Sequence, residues 1–198
     1  MTPTTKTIML ISGSPRKNGT SACLLQCFTD SLTRGTVGHS LSFVPYNAFN
    51  CGFAPCTDCR ACRRLEKCVN PDMDAFFADF EAADGIVIAT PIYNLSFPAP
   101  LKAILDRMQR YYNARFYLGK RPPIARYRPV ALLMSAGSSD EDGAVAVKQL
   151  ERIFTVTHCT LVSHCIANGT DRMSGENSLS DDVVDAVHEC ATVFMKNV

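Results

Sequence analysis

The sequence predicts an α/β protein, a doubly wound parallel sheet of five strands with helices packed on both faces. Three observations carry this. Short runs at 8–11, 86–89 and 130–134 are continuously apolar, too uniform for strands with one wet face. Between them lie segments whose apolar residues recur at three- and four-residue spacings, the helical period. Strand and helix alternate five times along the chain, and consecutive parallel strands require a crossover that lays its helix over the sheet.

Taken in order, the run at 8–11 gives way to Ser12, Gly13, Ser14, Pro15, Arg16, Lys17, Asn18 and Gly19, a loop composition. Leu24, Leu25, Phe28 and Leu32 then form one helical face that closes on Gly35. A second strand covers 40–46. After an irregular cysteine-rich stretch, Asp72 is placed to cap a helix whose face is Met73, Phe76, Phe77, Phe80 and Ala83, ending before Gly85. The strand at 86–89 leads through Thr90, Pro91, Ile92, Tyr93, Asn94, Leu95, Ser96, Phe97 and Pro98 into a helix with Leu101, Ile104, Leu105 and Met108 on one side. Residues 113–128 read as a basic, solvated connection carrying Arg115, Lys120, Arg121, Arg126 and Arg128. The strand at 130–134 is followed by a small-residue loop, Ser135 to Ser139, and a helix from about Asp142 to Val156. A last strand covers 160–166, and Ser180 with Asp181 and Asp182 opens a helix to about Lys196.

Length and composition narrow the function. A chain of 198 residues forms one domain that buries roughly 70% of its unfolded surface. With 20 basic and 19 acidic residues, it lacks the charge bias of a nucleic-acid or membrane-surface binder. No apolar run approaches the ~20 residues of a membrane span, and residues 1–7 are too short and polar for a signal peptide, so a cytoplasmic location is expected. In that reducing setting ten cysteines, half of them between Cys51 and Cys68, point to metal or redox chemistry before disulfides.

Open sheets of this class bind ligands beyond the carboxyl ends of their strands. Three loops leave those ends and should converge. The first presents helix N-terminal amides with Ser12, Ser14, Thr20 and Ser21 hydroxyls beside Arg16 and Lys17, a setting for phosphate. Gly13 and Gly19 are too widely spaced for a Walker loop, and Thr20 stands where its lysine would. A dinucleotide fingerprint fails as well, since the second strand ends in Tyr46 and Asn47, with no acid for a ribose. A hydroxyl-rich loop suits a terminal monophosphate such as that of FMN, the alternative being a tight turn with no ligand. The second loop offers Tyr93 for stacking and the amides of Ile92 and Asn94; the third, with Ser135, Ala136 and Gly137, lets a ring approach the main chain.

Gly-Ser-Pro-Arg-Lys-Asn-Gly-Thr-Ser at 13–21, Thr-Pro-Ile-Tyr-Asn at 90–94 and Leu-Lys-Ala-Ile-Leu-Asp-Arg at 101–107 together resemble the NAD(P)H-dependent FMN reductase family, with its flavodoxin-like fold. The cysteine segment resembles the iron-sulfur flavoprotein branch of that family. The resemblance spans nearly the whole chain. It implies a three-layer sheet in the order 2-1-3-4-5 and one flavodoxin-like domain over 1–198, with a cysteine-rich insertion at about 47–72. FMN phosphate would be served by Ser14, Arg16, Asn18, Thr20 and Ser21, and Pro91, Ile92, Tyr93 and Asn94 would line the flavin ring. A homodimer or homotetramer with flavins near subunit contacts is also implied.

Cys56-x2-Cys59-x2-Cys62-x5-Cys68 is spaced for a [4Fe-4S] cluster, and Arg60, Arg63, Arg64 and Lys67 suit an anionic group. Cys51 permits a [2Fe-2S] reading that starts five residues earlier, zinc is chemically compatible with four thiolates, and the thiols could be metal-free; the resemblance favours the cubane. Cys56 also follows Cys51, Gly52, Phe53 and Ala54, a bulkier run with an extra thiol than the resemblance implies. Cys23 and Cys27 share a helix face and read as core. His158-Cys159 and His164-Cys165 read as structural, because strand alternation sends His164 and Cys165 to opposite faces. The expected function is an FMN-dependent oxidoreductase that takes electrons from NADH or NADPH and passes them to an acceptor through the cluster. Its rivals are an electron carrier exchanging electrons only with protein partners and a cofactor-free binding domain.

Overall fold

The computed structural model describes residues 4–35, 40–138, 140–141, 143–172 and 179–198. Ser139 of the third loop and Asp142 at the expected start of a helix lie outside them, as do residues 1–3. The sheet has five strands, β1 (Thr5–Ser12), β2 (Ser40–Asn47), β3 (Gly85–Pro91), β4 (Arg128–Ser135) and β5 (Cys159–Ala167), all parallel in the order β2-β1-β3-β4-β5. The helices are α1 (Thr20–Gly35), α2 (Asp74–Ala82), α3 (Ala99–Arg107), α4 (Gln109–Phe116), α5 (Ala144–Thr157) and α6 (Asp181–Met195).

Strand residues point alternately to two separate cores, which is why the runs are continuously apolar. Ile8 and Leu10 of β1, Val87 of β3 and Leu133 of β4 meet Leu24, Phe28 and Leu32 of α1 and Val187 and Phe194 of α6. Phe28 and Phe194 pack edge to face at 5.6 Å. On the other face Met9, Ile88 and Leu132 meet Phe76, Phe77 and Phe80 of α2, Leu101 and Ile104 of α3, and Leu150 and Phe154 of α5.

Four local expectations are corrected. Asp72 does not cap α2. A 3-10 turn, Pro71–Met73, precedes the helix and is capped by the Asn70 side chain, which accepts from the Asp72 amide. The connection after α3 is partly helical, since α4 runs through residues expected to be loop and buries Tyr111, Asn113 and Ala114. Its sequence is too polar to reveal a helix, because its buried face meets the cysteine segment together with α2 and α5. Arg128, expected on a solvated loop, is fully buried as the first residue of β4. Its guanidinium donates to the carbonyls of Phe80, Glu81 and Thr157 and lies 4.9 Å over the Phe80 ring, so one cation closes the carboxyl ends of α2 and α5. The neighbouring cations are also engaged: Arg126 pairs with Asp84 at 2.6 Å, and Lys120 with Glu66 at 2.6 Å. Cys23 and Cys27 are half-buried on α1 and not fully buried core residues, although Cys27 packs against the core. The expected opposition of exposed His164 and buried Cys165 on β5 is observed.

Candidate functional site

Strand order reverses between β1 and β3, and the loops after β1, β3 and β4 leave that carboxyl edge together. They are joined by hydrogen bonds: the Gly13 amide donates to the Ala89 carbonyl at 2.8 Å, and the Ile92 amide to the Ser135 carbonyl at 2.8 Å. The Ser21 and Ser135 hydroxyls meet at 2.9 Å. Gly13 must be glycine here, because a Cβ would fall 2.6 Å from Thr90 Oγ1 and 2.7 Å from Leu101 Cδ2.

In the first loop Ser14 is buried, and its hydroxyl accepts from the Arg16 amide at 3.2 Å. Arg16, Lys17 and Asn18 are exposed around it. The first bonds of α1 run from the Ala22 and Cys23 amides to the Gly19 carbonyl, which leaves the amides of Thr20 and Ser21 ahead of the helical ladder. The first turn of α1 contains no acidic side chain to oppose an anion there. Ser21 is 2% exposed and its hydroxyl is engaged by Ser135, so only its amide is placed to meet a phosphate. Sequence reasoning missed Asn47, considered only for not being an acid. Its side-chain amide donates to the Ser14 carbonyl at 3.0 Å, and its oxygen accepts from the Phe49 amide, fixing the loop from the end of β2. Tyr46 turns away to donate to Asp79 at 2.6 Å; burial, then that hydrogen bond, raises its phenol pKa well above the usual tyrosine range.

In the second loop Pro91 ends β3, and Tyr93 and Ser96 exchange backbone hydrogen bonds of 2.9 and 3.0 Å. Asn94 and Leu95 between them have φ of 51° and 63°, a two-residue turn with both central residues left-handed. This holds the Tyr93 side chain at the surface, 43% exposed, where a flat ring could stack. The Ile92 amide, expected to face a ring, is instead bound to β4. In the third loop Ser135 and Ala136 are buried, Gly137 is half-buried, and a Cβ on Gly137 would collide with the Asp171 carboxylate.

The cysteine segment forms a second site. Cys56, Cys59, Cys62 and Cys68 line one cavity of about 90 Å³, together with Ala54, Asn70, Arg107 and Asn113. Cys51 is not among them; it faces a different cavity with Leu10, Ser12, Tyr46 and Asn47, which sets it apart from these four. Among the described residues no three His, Cys, Asp or Glu side chains converge closely enough for a single metal ion. A cubane spreads its ligands, one thiolate to each iron, so four thiols around a cavity suit it better than a mononuclear zinc site. Asp58 and Arg60, between these cysteines, have φ of 47° and 61°. Left-handed residues alternating with ordinary ones curl the backbone into the kind of concavity found at iron-sulfur sites.

Arg107, the last residue of α3, braces this segment. Its guanidinium, 3% exposed, donates to the carbonyls of Ala54 at 2.9 Å and Asn70 at 2.8 Å and pairs with Asp72 at 2.8 Å. Burial works against its charge, but Asp72 and the Cys68 sulfur outweigh that and raise its pKa. Burial likewise favours the neutral Asp72 carboxyl, yet hydrogen bonds from Arg107 and the Ala54 amide hold it below the ordinary carboxylate range. Asn113 of α4 donates to the Cys62 sulfur at 2.9 Å.

Residues 7–171 match the model of the family described as NADPH-dependent FMN reductase. An iron-sulfur flavoprotein of Methanosarcina thermophila is 33% identical over 134 residues, 67% of this chain and 64% of that protein. One from Archaeoglobus fulgidus is 31% identical over 124 residues, 57% of each. The matched region thus spans about three-fifths of these relatives. Among solved structures, an NAD(P)H:quinone oxidoreductase from Methanothermobacter marburgensis superposes with a TM-score of 0.68 at 18% identity, covering 94% of this chain and 98% of that one, a likeness of fold. With the fold, the three joined loops and the family match in agreement, the chain belongs to the NADPH-dependent FMN reductase family, and within it is similar to the proteins named iron-sulfur flavoproteins.

Proposed function

We propose that the protein is an FMN-dependent oxidoreductase that takes electrons from NADH or NADPH and passes them to an acceptor by way of a [4Fe-4S] cluster. The observation that carries the flavin reading is the joining of three loops at the strand-order switch, through Gly13 to Ala89, Ile92 to Ser135 and Ser21 to Ser135. Bound there, FMN would supply hydride acceptance, and the cluster one-electron transfer.

The chain's own residues do the rest. The Thr20 and Ser21 amides and the Ser12, Ser14 and Thr20 hydroxyls would hold the phosphate, with Arg16 and Asn18 covering its open side. Pro91, Ile92, Tyr93 and Asn94 would border one side of the ring, and Ser135, Ala136 and Gly137 another. Cys56, Cys59, Cys62 and Cys68 would ligate iron, with Arg107 offsetting the negative charge of the thiolates from inside the protein. No side chain at the loops is required as a proton donor for hydride transfer, and none is assigned that role. The ligating segment is an insertion within one domain.

Anaerobic mixing of purified, FMN-loaded protein with NADH or NADPH tests the reductase reading. Bleaching of the flavin absorbance with either nucleotide is expected, and a flavin that stays oxidised with both leaves a carrier without a nucleotide site. Iron and acid-labile sulfide analysis tests the cluster, for which roughly four of each per chain are expected.

A further inference from the structure

We propose that Asn113 sets the reduction potential of the metal group that Cys62 helps to hold, by donating its side-chain amide hydrogen to the Cys62 sulfur. The inference rests on the reading of the four-cysteine cavity as a cluster site.

Asn113 is 3% exposed and lines that cavity from α4, an element outside the cysteine segment. Its Nδ2 lies 2.9 Å from Cys62 Sγ, and its Oδ1 is buried with no hydrogen-bond partner among the described residues. That pairing has a chemical direction. A free thiol can give its weak S–H hydrogen to the amide oxygen, whereas a metal-bound thiolate has no hydrogen and can only accept. With nitrogen toward sulfur, the amide can donate weakly to a thiol and more strongly to a metal-bound thiolate, while its buried oxygen is left unpaired, at a cost. A leucine would fill comparable space without that cost, so packing alone does not account for an amide here.

The backbone that carries the amide is fixed. The carbonyl of Asn113 accepts from the Tyr117 and Leu118 amides, which closes α4, and Tyr111 and Ala114 of the same helix are buried with it. Each electron added to an iron-sulfur cluster increases the negative charge on its sulfurs. A fixed donor to one of them therefore stabilises the reduced form and raises the potential.

The test is an EPR-monitored anaerobic redox titration of the FMN- and iron-loaded protein beside Asn113→Leu and Asn113→Ala. Iron and sulfide are counted in each, and the flavin midpoint serves as an internal reference. At a fixed potential near the wild-type midpoint, the variants are expected to show an about tenfold lower ratio of reduced to oxidised cluster, equivalent to ~59 mV for one electron, with the flavin midpoint unmoved. A variant with full iron and the wild-type cluster midpoint overturns the proposal. So does a result in which both variants fold by circular dichroism but take up no iron, which would make Asn113 an assembly residue. Absence of iron and sulfide from the unsubstituted protein overturns this inference together with the reading of the cavity, whereas an unchanged midpoint in iron-loaded variants overturns the inference alone.

Discussion

Ser21 and Ser135 touch through their hydroxyls at 2.9 Å although 114 residues separate them. The contact fastens the first turn of α1, the proposed phosphate anchor, to the end of β4 where the third loop begins. Both residues are buried, so removing one hydroxyl leaves the other without a partner in a dry setting, where the penalty exceeds the value of the bond itself. Ser21→Ala is expected to destabilise the FMN-free protein by ~1–2 kcal/mol in urea denaturation. The Ser21→Ala, Ser135→Ala double variant should cost less than the sum of the two singles; strict additivity would show that the hydroxyls do not interact.

Gly13 sets how closely the first loop approaches β3. The two atoms that an added methyl would meet, Thr90 Oγ1 and Leu101 Cδ2, belong to fully buried side chains, so neither can swing into solvent. Gly13→Ala should therefore displace the loop, costing ~1–3 kcal/mol of stability and weakening FMN binding. Fluorescence titration with FMN checks the second effect, and wild-type affinity in the variant would show that the loop does not hold the cofactor.

The strands and the three convergent loops were legible in the sequence, because sheets covered on both faces need unbroken apolar runs and the loops carry turn residues. What escaped has a common cause. Arg128, Arg107 and Asn113 are polar residues buried by partners distant in sequence: Arg128 by the ends of α2 and α5, Arg107 by both flanks of the cysteine segment, Asn113 by Cys62. Composition marks such residues as surface, and only the tertiary arrangement supplies the carbonyls that Arg128 and Arg107 donate to and the sulfur that Asn113 meets. Asp72 escaped for a related reason, since its carboxylate is drawn from the helix start toward Arg107 and the Ala54 amide.

The Asp72–Arg107 pair makes the attachment of the cysteine segment depend on pH. The folded pKa of Asp72 is depressed, so the pair contributes fully above the unfolded carboxylate value of ~3.9 and loses that contribution as pH falls through the folded value. Limited proteolysis within 47–72 by an acid-active protease should accelerate below about pH 4. Asp72→Asn should be cut faster than the wild type by a neutral protease at pH 7 and show a flatter response to acid with the acid-active one; an unchanged profile would show that the pair does not tether the segment. Arg107→Met, which leaves the Ala54 and Asn70 carbonyls without their donor and Asp72 without its partner, should be the more damaging change, at ~1–3 kcal/mol by denaturation.

Thiol accessibility separates the possible ligand sets, because the ten cysteines occupy different environments. Cys56 and Cys59 are exposed, Cys51, Cys62 and Cys68 are half-buried, and Cys159, Cys165 and Cys190 are buried. Hydrogen bonding to Cys190, then burial, raises the Cys165 pKa and suppresses its thiolate, while burial is the main cause raising Cys159. Iodoacetamide labelling of iron-free protein, read by peptide mass spectrometry, should therefore modify Cys56 and Cys59 first and leave Cys159 and Cys165 intact in the folded chain. After anaerobic loading with iron and sulfide, Cys56, Cys59, Cys62 and Cys68 should become protected together while Cys51 keeps its iron-free labelling rate. Protection of Cys51 in place of Cys68 would move the ligand set toward the amino-terminal side of the segment and contradict the cavity geometry that keeps Cys51 apart.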